Sequence, residues 1–435
     1  MLQNKRVGTL LEMLNKLTRD ERQAESVKKW IIAKGKGTLE CCTGYGKTRC
    51  ATIIIKKFVS KLPSIKVLVV VPTSTLKEQW ESIIDSLNLS KNVTVGIINT
   101  MAKSDYECDL LINDEIHRFS ADSFRSIFTK IKYKYILGLT ATFERLDDKH
   151  KLIEKYCPVI DTISLEVAKL NGWVSNFTEY QVIITVDDID KYNEYNKEFY
   201  KHFEYFQFDW SLVMSMLGKN GFINRAKYRD QLCSNMDIND PRRKEIFKEI
   251  TYHATAFMRA LQNRKKFIYN HPKKIDIVRK IINYRSDKKI ITFSANIKMA
   301  ESIGIGYVYT GKESKKKNRI TVEKFSTLNS GVLNSVQLAN EGFDCKGLSV
   351  GIVLGLDSSP IKSKQRTGRV IRKESDKYAE IFTIIIENTV ECEWYAKSHA
   401  GTNYVTIDEE NLLKVLKGEP YETYKKKIQN YIYRF

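Results

Sequence analysis

The sequence predicts an α/β protein with two domains built on parallel sheets, a helical insertion in the second domain and a short helical C-terminal extension. Apolar runs that end in hydroxyl or carboxylate residues alternate with helical patterns, which is typical of strands joined by right-handed crossovers. A loop containing Gly-Lys-Thr follows the first of these short runs. The 435 residues exceed one ordinary core and indicate two to three domains.

The chain is strongly basic, with 72 Lys and Arg against 52 Asp and Glu and a formal charge of +20. This excess favours a polyanionic partner, nucleic acid first and an acidic membrane surface second. No apolar run approaches the ~18 residues of a membrane helix, so we expect no membrane partner. The eight cysteines form no C-x-x-C pair and the N-terminus is no signal peptide, which predicts a reduced, cytoplasmic protein without zinc.

Residues 41–48 predict a phosphate-binding loop, because a short strand-like segment precedes them and a helical pattern follows. Gly44 and Gly46 let the loop amides point at phosphate oxygens, and the helix adds its positive N-terminal dipole. We expect Lys47 to reach the β- and γ-phosphates of ATP and the Thr48 hydroxyl to hold Mg²⁺. The loop begins with cysteine where the usual pattern has glycine, and a plain turn containing Gly-Lys-Thr is the alternative.

Two segments beside this loop carry further candidates. Gln23 precedes it by about twenty residues on a predicted helix and is a candidate for reading adenine, although a lone glutamine is more often solvated. Residues 67–71 form an apolar run that ends at Pro72, as a buried parallel strand does. Thr73 and the hydroxyls after it begin a helix, where they could bind a nucleic-acid phosphate or serve as a plain cap.

Residues 109–117 predict a strand that ends in two carboxylates at the ligand-binding edge of the sheet. Asp114 is expected to hold the Mg²⁺ ion, and Glu115 to orient and deprotonate the attacking water. Acidic residues of an ordinary turn are the alternative. Residues 135–142 predict another buried strand, and hydroxyls end it.

The second half begins with a linker around Gly172 and changes to an aromatic-rich helical pattern at residues 188–265. Such aromatics could stack on bases or separate strands, but a core of their own is the favoured interpretation. Residues 259–274 are a better candidate for phosphate contact. Their cations are Arg259, Arg264, Lys265, Lys266, Lys273 and Lys274.

Strand patterns return at 289–294 and 332–336, and residues 363–372 contain the pattern Gln-Arg-x-Gly-Arg-x-x-Arg. Arg369 and Arg372 are three residues apart, so we expect them on one helical face, presenting guanidinium groups to the γ-phosphate. Another apolar strand-like run and a helical tail follow.

These stretches occur in the order of a known family. Thr-Gly-Tyr-Gly-Lys-Thr, Val-Pro-Thr, Asp-Glu-Ile-His and Gly-Leu-Thr-Ala-Thr resemble motifs I, Ia, II and III of superfamily 2 DExH helicases, and residues 332–344 and 363–372 resemble motifs V and VI. The runs around Asp114 and Thr140 are most similar to the XPB-like and phage UvsW-like branch. Phe143 stands where that branch usually has proline.

The resemblance implies two RecA-like domains at 1–165 and 170–395, the insertion at 188–265 and the extension at 396–435, with ATP and Mg²⁺ between the domains. It implies three sets of site residues. The catalytic set is Asp114, Glu115, Gln365, Arg369 and Arg372, the added nucleotide-binding pair is Gly342 and Asp344, and the nucleic-acid contacts are Pro72, Thr73, Thr100, Thr140 and Thr142.

The resemblance further implies an ATP-dependent DNA helicase or translocase that remodels forks or junctions in replication, recombination or repair, active as a monomer. Two alternatives stay open: an RNA helicase, and a DNA-translocating motor subunit of a restriction or nuclease complex. A pure binding module is disfavoured because the lysine, acidic and arginine positions of the hydrolytic machinery are all present.

Overall fold

A computed structural model describes residues 17–120, 124–143, 150–336, 345–356, 360–374 and 377–424. Two parallel sheets with flanking helices organise these residues, so the predicted α/β class with two parallel-sheet domains is confirmed. No helix in the described ranges is both long enough and apolar enough to cross a bilayer.

The first sheet has six parallel strands in the order β3-β2-β5-β7-β1-β8. Its strands are β1 Lys36–Cys41, β2 Val67–Val71, β3 Val93–Ile97, β5 Leu110–Asp114, β7 Tyr135–Thr140 and β8 Val159–Ile163, with a separate small pair β4 Tyr106–Glu107 and β6 Ile131–Lys132. Its helices are α1 Arg19–Ile32, α2 Lys47–Lys61, α3 Ser74–Ser86, α4 Ile98–Met101, α5 Ile127–Lys130, α6 His150–Glu154 and α7 Leu165–Leu170. Because parallel strands share a direction, β1, β5 and β7 end at one edge of the sheet.

The second sheet has seven parallel strands in the order β11-β12-β10-β13-β14-β9-β15. Its strands are β9 Asn176–Ile184, β10 Lys289–Ser294, β11 Tyr307–Tyr309, β12 Gly331–Val336, β13 Leu348–Val353, β14 Tyr378–Ile386 and β15 Val405–Ile407. The helices around it are α12 Pro272–Tyr284, α13 Ile297–Ser302, α14 Lys315–Thr327, α15 Pro360–Val370, α16 Val390–Ser398 and α17 Glu409–Lys417.

The insertion follows β9 and is entirely helical in its regular structure. It comprises α8 Ile189–Glu204, α9 Trp210–Leu217, α10 Gly221–Leu232 and α11 Arg242–Asn270. Phe199, Phe206 and Phe257 are buried together with aliphatic side chains in a cluster of the insertion itself. Most of its aromatics therefore form a core, as the favoured interpretation expected.

Two cations of residues 259–274 are not on the surface, which corrects the expectation that this stretch as a whole contacts phosphate. Arg264 is buried against the ring of Phe199, with 4.1 Å from guanidinium carbon to ring centroid. Lys274 is fully buried, and its Nζ lies 2.6 and 2.7 Å from the two carboxylate oxygens of Glu391. Burial lowers the pKa of Lys274 and raises the pKa of Glu391, so each charge depends on the other.

The tail beyond residue 395 was expected to be only a helical extension, and it contains a strand that the sequence analysis missed. β15 pairs with β9 at the edge of the second sheet. Leu412 and Leu416 of α17 are buried in the same core as the sheet. A three-residue strand is too short to show a period-2 pattern, so only its pairing with β9 identifies it.

The helix α1 is fixed to the first sheet by a buried acid. The carboxylate of Asp161 on β8 accepts two hydrogen bonds from Arg22, at 2.7 and 2.8 Å, and one each from Ser26 and Lys29, at 2.7 and 2.6 Å. Burial of Asp161 disfavours its charge, but the bonds from Arg22 and its neighbours outweigh burial, and the pKa is lowered from 3.8.

Asp161→Asn should destabilise the protein by about 3–5 kcal/mol at neutral pH, because it leaves the Arg22 guanidinium buried without its counter-charge. A carboxyl group whose pKa is lowered in the folded state stabilises the protein at pH values above its pKa in the unfolded chain. That contribution disappears as the pH falls through the folded-state pKa. Urea unfolding of wild type and variant at pH 7 and below pH 4 measures this. The difference between the two proteins should shrink at acid pH, and a constant difference would contradict the role of the ionised carboxylate.

Candidate functional site

A cavity of about 390 Å³ lies between the two domains, where the strands of the first sheet end. Both domains line it. The first contributes Arg19, Thr43, Gly44, Gly46, Lys47, Thr48, Pro72, Leu76, Gln79, Asp114, Glu115 and Arg118, and the second contributes Gln365, Arg369, Arg372 and Lys373. The structure thus brings the predicted phosphate loop, the two acids and the Gln-Arg-Arg group into one site.

The loop that opens α2 has the backbone conformation of an anion cradle. Gly44 and Gly46 have φ angles of +90° and +102°, and Gly46 caps the helix in the left-handed conformation. Any side chain at position 46 would also overlap the side-chain Nε2 of Gln23. The Lys47 ammonium donates to the Cys41 carbonyl at 3.0 Å and so is held over the loop. Thr48 lies in the first turn of the helix, where its hydroxyl lines the cavity.

Gln23 lies behind this loop. It is fully buried, and its Nε2 donates to the Tyr45 carbonyl at 2.7 Å. Its Oε1 is buried and accepts no hydrogen bond from the residues the structure describes. The contact to Tyr45 supports the loop, and reading of adenine by Gln23 stays a prediction.

Asp114 ends β5 with a buried carboxylate. Its Oδ2 accepts from the Trp80 indole nitrogen at 2.9 Å, and its Oδ1 accepts from the Glu115 amide at 3.0 Å. Burial, and then the neighbouring Glu115 charge, raise the pKa of Asp114 to about 6, while Trp80 and Lys47 oppose the rise. A nearby cation would stabilise the ionised form of a carboxyl group whose pKa is raised in this way.

Glu115 has a strained backbone, with a φ of +53° that non-glycine residues rarely adopt. The His117 imidazole packs beside the Glu115 side chain: its Nδ1 is hydrogen-bonded to the Thr140 hydroxyl at 3.0 Å and lies 3.3 Å from the Glu115 carboxylate. The imidazole is buried and joins the end of β5 to the end of β7. His117 belongs to the Asp-Glu-Ile-His motif, but no role for it is predicted from the sequence.

The two arginines reach the cavity from different backbone settings, which corrects the expectation of one helical face. The helix α15 ends at Val370, so Arg369 is helical and Arg372 lies beyond the helix. Ser175, which precedes β9, holds this exit: its amide donates to the Ile371 carbonyl at 2.9 Å and its hydroxyl donates to the Arg372 carbonyl at 2.8 Å.

The domains touch closely beside the cavity. A side chain at Gly368 of α15 would overlap Thr43 of the phosphate loop, so only glycine allows this approach. Trp173 of the linker packs on Tyr45 of the same loop, with 5.7 Å between ring centroids. The second domain is therefore in direct contact with the phosphate loop.

The predicted nucleic-acid contacts do not form one surface. The burial of Thr140 corrects the expectation that it contacts nucleic acid. Thr140 is fully buried and its hydroxyl donates to the Thr142 carbonyl at 2.8 Å, so its side chain has no exposed surface that nucleic acid could reach. Thr142 is also buried. Pro72 lines the cavity, and Thr73 accepts from the Leu76 amide as a helix cap.

Three further predicted residues stand apart from this group. Thr100 is exposed on α4, away from the residues that line the cavity. Gly342 and Asp344 lie outside the described residues.

Three cations of the cavity wall, Arg19, Arg118 and Lys373, are not predicted from the sequence. Arg118 follows His117 directly and Lys373 follows Arg372, so adjacency to a motif was the available signal. Arg19 begins α1 and had none.

The donor set fits a nucleoside triphosphate with a hard divalent cation. A glycine cradle at a helix N-terminus and a ring of lysine and arginine suit a polyphosphate. A hydroxyl from Thr48 and a carboxylate from Asp114 are oxygen ligands of the kind Mg²⁺ takes. Both line the cavity, together with Lys47.

Comparison with known families gives two matches. Residues 16–105 and 88–145 match the family described as type III restriction enzyme, res subunit, and residues 273–374 match the helicase conserved C-terminal domain. Together these matches cover about half of the chain, and they lie on the two parallel-sheet domains.

Individual proteins are similar over most of the chain. A DNA 3'-5' translocase, XPB2 of Sulfurisphaera tokodaii, is 26% identical over 402 residues, which are 87% of this chain and 83% of that protein. A protein of Acanthamoeba polyphaga mimivirus that carries the name of an ATP-dependent RNA helicase is 26% identical over 90% of this chain and 67% of its own length.

A solved structure, Dbp5 of S. cerevisiae bound to RNA and ADP BeF3, aligns with a TM-score of 0.54 over 88% of each chain at 12% identity. At that identity the likeness shows the fold alone, two RecA-like domains. The motifs, the family matches and the similar proteins together identify the chain as a superfamily 2 helicase of the XPB-like branch, a nucleic-acid-dependent ATPase.

Proposed function

We propose that this protein is an ATP-dependent DNA translocase or helicase that remodels branched DNA such as forks and junctions. The observation that carries this proposal is the single cavity lined by Lys47, Asp114 and Glu115 from one domain and by Arg369 and Arg372 from the other. A site assembled from two domains turns over only when they are correctly opposed, so hydrolysis is coupled to their relative movement.

The residues divide the work by their chemistry. Lys47 and the loop amides neutralise the phosphates, and Thr48 and Asp114 would hold Mg²⁺, which supplies further charge neutralisation. Glu115, in its strained backbone and beside His117, accepts a proton from water. The guanidinium groups of Arg369 and Arg372 stabilise the charge that develops during transfer, as an arginine finger does.

DNA is the favoured polymer because XPB2 of Sulfurisphaera tokodaii, which is similar to this chain over 83% of its own length, is named a DNA translocase. The formal charge of +20 supports a nucleic-acid backbone as the partner without selecting DNA or RNA. The preference for branched DNA rests on the resemblance of residues 114–120 and 138–145 to the XPB-like and phage UvsW-like branch.

An RNA helicase is the second candidate, and the name of the mimivirus relative favours it. The discriminating chemistry is contact with the sugar 2′-hydroxyl. The restriction-enzyme family match favours a third candidate, a motor that moves along duplex DNA without separating its strands.

ATP hydrolysis by the purified protein should be stimulated most by forks or four-way junctions. The panel is no nucleic acid, single-stranded DNA, duplex, fork, junction and RNA, with Glu115→Gln as the blank. Stimulation by RNA alone would favour the RNA helicase. Equal stimulation by plain duplex without strand separation would favour the translocating motor.

Lys47→Ala should abolish turnover by removing the phosphate contact, whereas Glu115→Gln should bind ATP and fail to hydrolyse it because the proton acceptor is lost. Binding of a fluorescent ATP analogue and steady-state hydrolysis separate the two effects. Normal turnover by Glu115→Gln would show that another group accepts the proton.

Ser175→Ala should lower kcat about tenfold or more with little change in KM for ATP, because the Arg372 carbonyl loses the Ser175 hydroxyl and keeps the Lys377 ammonium, at 3.0 Å, so Arg372 is positioned less precisely. Arg372→Ala sets the upper limit of the loss, expected at orders of magnitude. An unchanged kcat in Ser175→Ala would show that Arg372 is positioned without this hydroxyl.

A further inference from the structure

A second cavity, of about 350 Å³, lies between the helical insertion and α16 of the second domain. Half of its lining residues are aromatic, and the walls also carry two cations and one acid. The residues that bear on its chemistry are Phe203, Trp210, Arg264, Lys265, Glu393 and Trp394. Its volume is within the range of about 300–1,000 Å³ that small-ligand sites occupy.

Arg264 is the unusual member. It is only 5% exposed, its Nε has no hydrogen-bond partner, and no carboxylate forms an ion pair with it within the residues the structure describes. Its guanidinium lies 4.1, 5.7 and 6.0 Å from the ring centroids of Phe199, Tyr200 and Tyr192 and pairs with the Tyr192 hydroxyl, and these neutral groups compensate a buried charge only in part. Although Glu393 also lines the cavity, Arg264 forms no ion pair with it or with another described carboxylate, and a buried cation of this kind can bind an anion.

The cavity is held open by contacts between its two sides. The Val390 amide at the start of α16 donates to the Tyr192 hydroxyl of α8 at 2.9 Å, and the Tyr269 hydroxyl donates to the Leu356 carbonyl at 3.0 Å. These bonds join the insertion to the second domain directly beside the aromatic walls. A ligand would therefore meet rings that are already in place, with less ordering cost on binding.

The open side of the cavity carries ring surface and positive charge. Trp210 is 47% exposed although it packs on Phe203 and Phe257, with ring centroids 6.2 and 5.7 Å apart. Lys265 is exposed at the same opening and forms no ion pair with a described residue. Aromatic faces beside cations that lack acidic partners are the combination that binds the bases and phosphates of single strands.

We propose that this cavity binds an unpaired nucleotide of the nucleic-acid strand, with its base stacked among the aromatic rings and its phosphate paired with Arg264 and Lys265. Glu393 offers a carboxylate that can accept from the amino group of a base and that disfavours an acidic peptide. A base inside a duplex is stacked on both faces, so only an unpaired or extruded base can enter.

The assignment rests on the proposed function, because it names the site that would bind the unpaired part of the DNA substrate of that function. It also gives the insertion a specific role. Most of the insertion's aromatics form a core, and those that remain at the junction with α16 recognise single-stranded character. Forks and junctions with unpaired bases would bind better than blunt duplex because of this one site.

Trp210→Ala in the full chain should weaken binding to a fork with unpaired arms by about fivefold or more, the lower range for the loss of one base–aromatic stack. Binding to a blunt duplex of equal length should change less than about twofold. Fluorescence anisotropy with labelled DNA at fixed salt measures both. Phe222→Ala is the matched control, since Phe222 is an aromatic of the same insertion that is 66% exposed and does not line the cavity.

Equal losses on fork and duplex, or the same loss in Phe222→Ala, would overturn the assignment. If the wild type prefers forks and Trp210→Ala keeps that preference, the cavity fails and the proposed function stands. If the wild type neither prefers forks nor is stimulated by them, the proposed function fails, and the cavity is judged by cross-linking alone.

Cross-linking uses the wild-type protein and so does not depend on the folding of a variant. Single-stranded DNA with one 5-iodouracil, irradiated on the protein, should attach to peptides of the helices that line the cavity, α8, α9, α11 and α16, identified by mass spectrometry. Attachment only elsewhere would overturn the proposal. Excess free dTMP that suppressed the cross-link as well as unlabelled strand does would point to a free nucleotide and overturn the assignment to a strand.

Discussion

The close approach of Gly368 to Thr43 is the contact on which the site between the domains depends. Any side chain at position 368 would overlap the phosphate loop, so glycine alone lets α15 lie against it. This approach brings Arg369 and Arg372 to the cavity that already contains Lys47 and Asp114. The proposed catalytic charge distribution is thus a property of the domain interface, and a displacement of either domain would separate its parts.

The two acidic residues at the end of β5 line this interface in arrangements that oppose folding. Asp114 is buried with its pKa raised to about 6, and Glu115 has a left-handed backbone. Neither feature stabilises the fold by itself, since burial of a carboxylate and a strained φ both oppose folding. The Trp80 indole donates a hydrogen bond to Asp114, and the buried His117 imidazole packs beside the Glu115 carboxylate at 3.3 Å, so both acids are held by neighbouring side chains.

The aromatic residues of the insertion have two roles, in its core and at the cavity, and amino-acid composition does not distinguish them. Phe199, Phe206 and Phe257 are buried in its core, whereas Trp210 remains half exposed beside a cavity. Arg264 belongs to both, since its guanidinium covers a core ring and lines the cavity wall. The second sheet supplies the other wall through α16, so the cavity exists only because the insertion packs on its own domain.

Local sequence patterns are sufficient to predict the parallel-sheet class, the strand–loop–helix around Lys47 and the acids at a strand end. Local patterns reach that far because glycine conformations, apolar periodicity and strand ends are short-range properties. Tertiary structure decided the rest. It placed Arg372 beyond its helix under the control of Ser175, buried Thr140 against His117, and added the strand at 405–407 to a sheet edge. Each of these results depends on a partner distant in sequence, and the physical reason is that packing across long separations leaves no periodic signal in the chain.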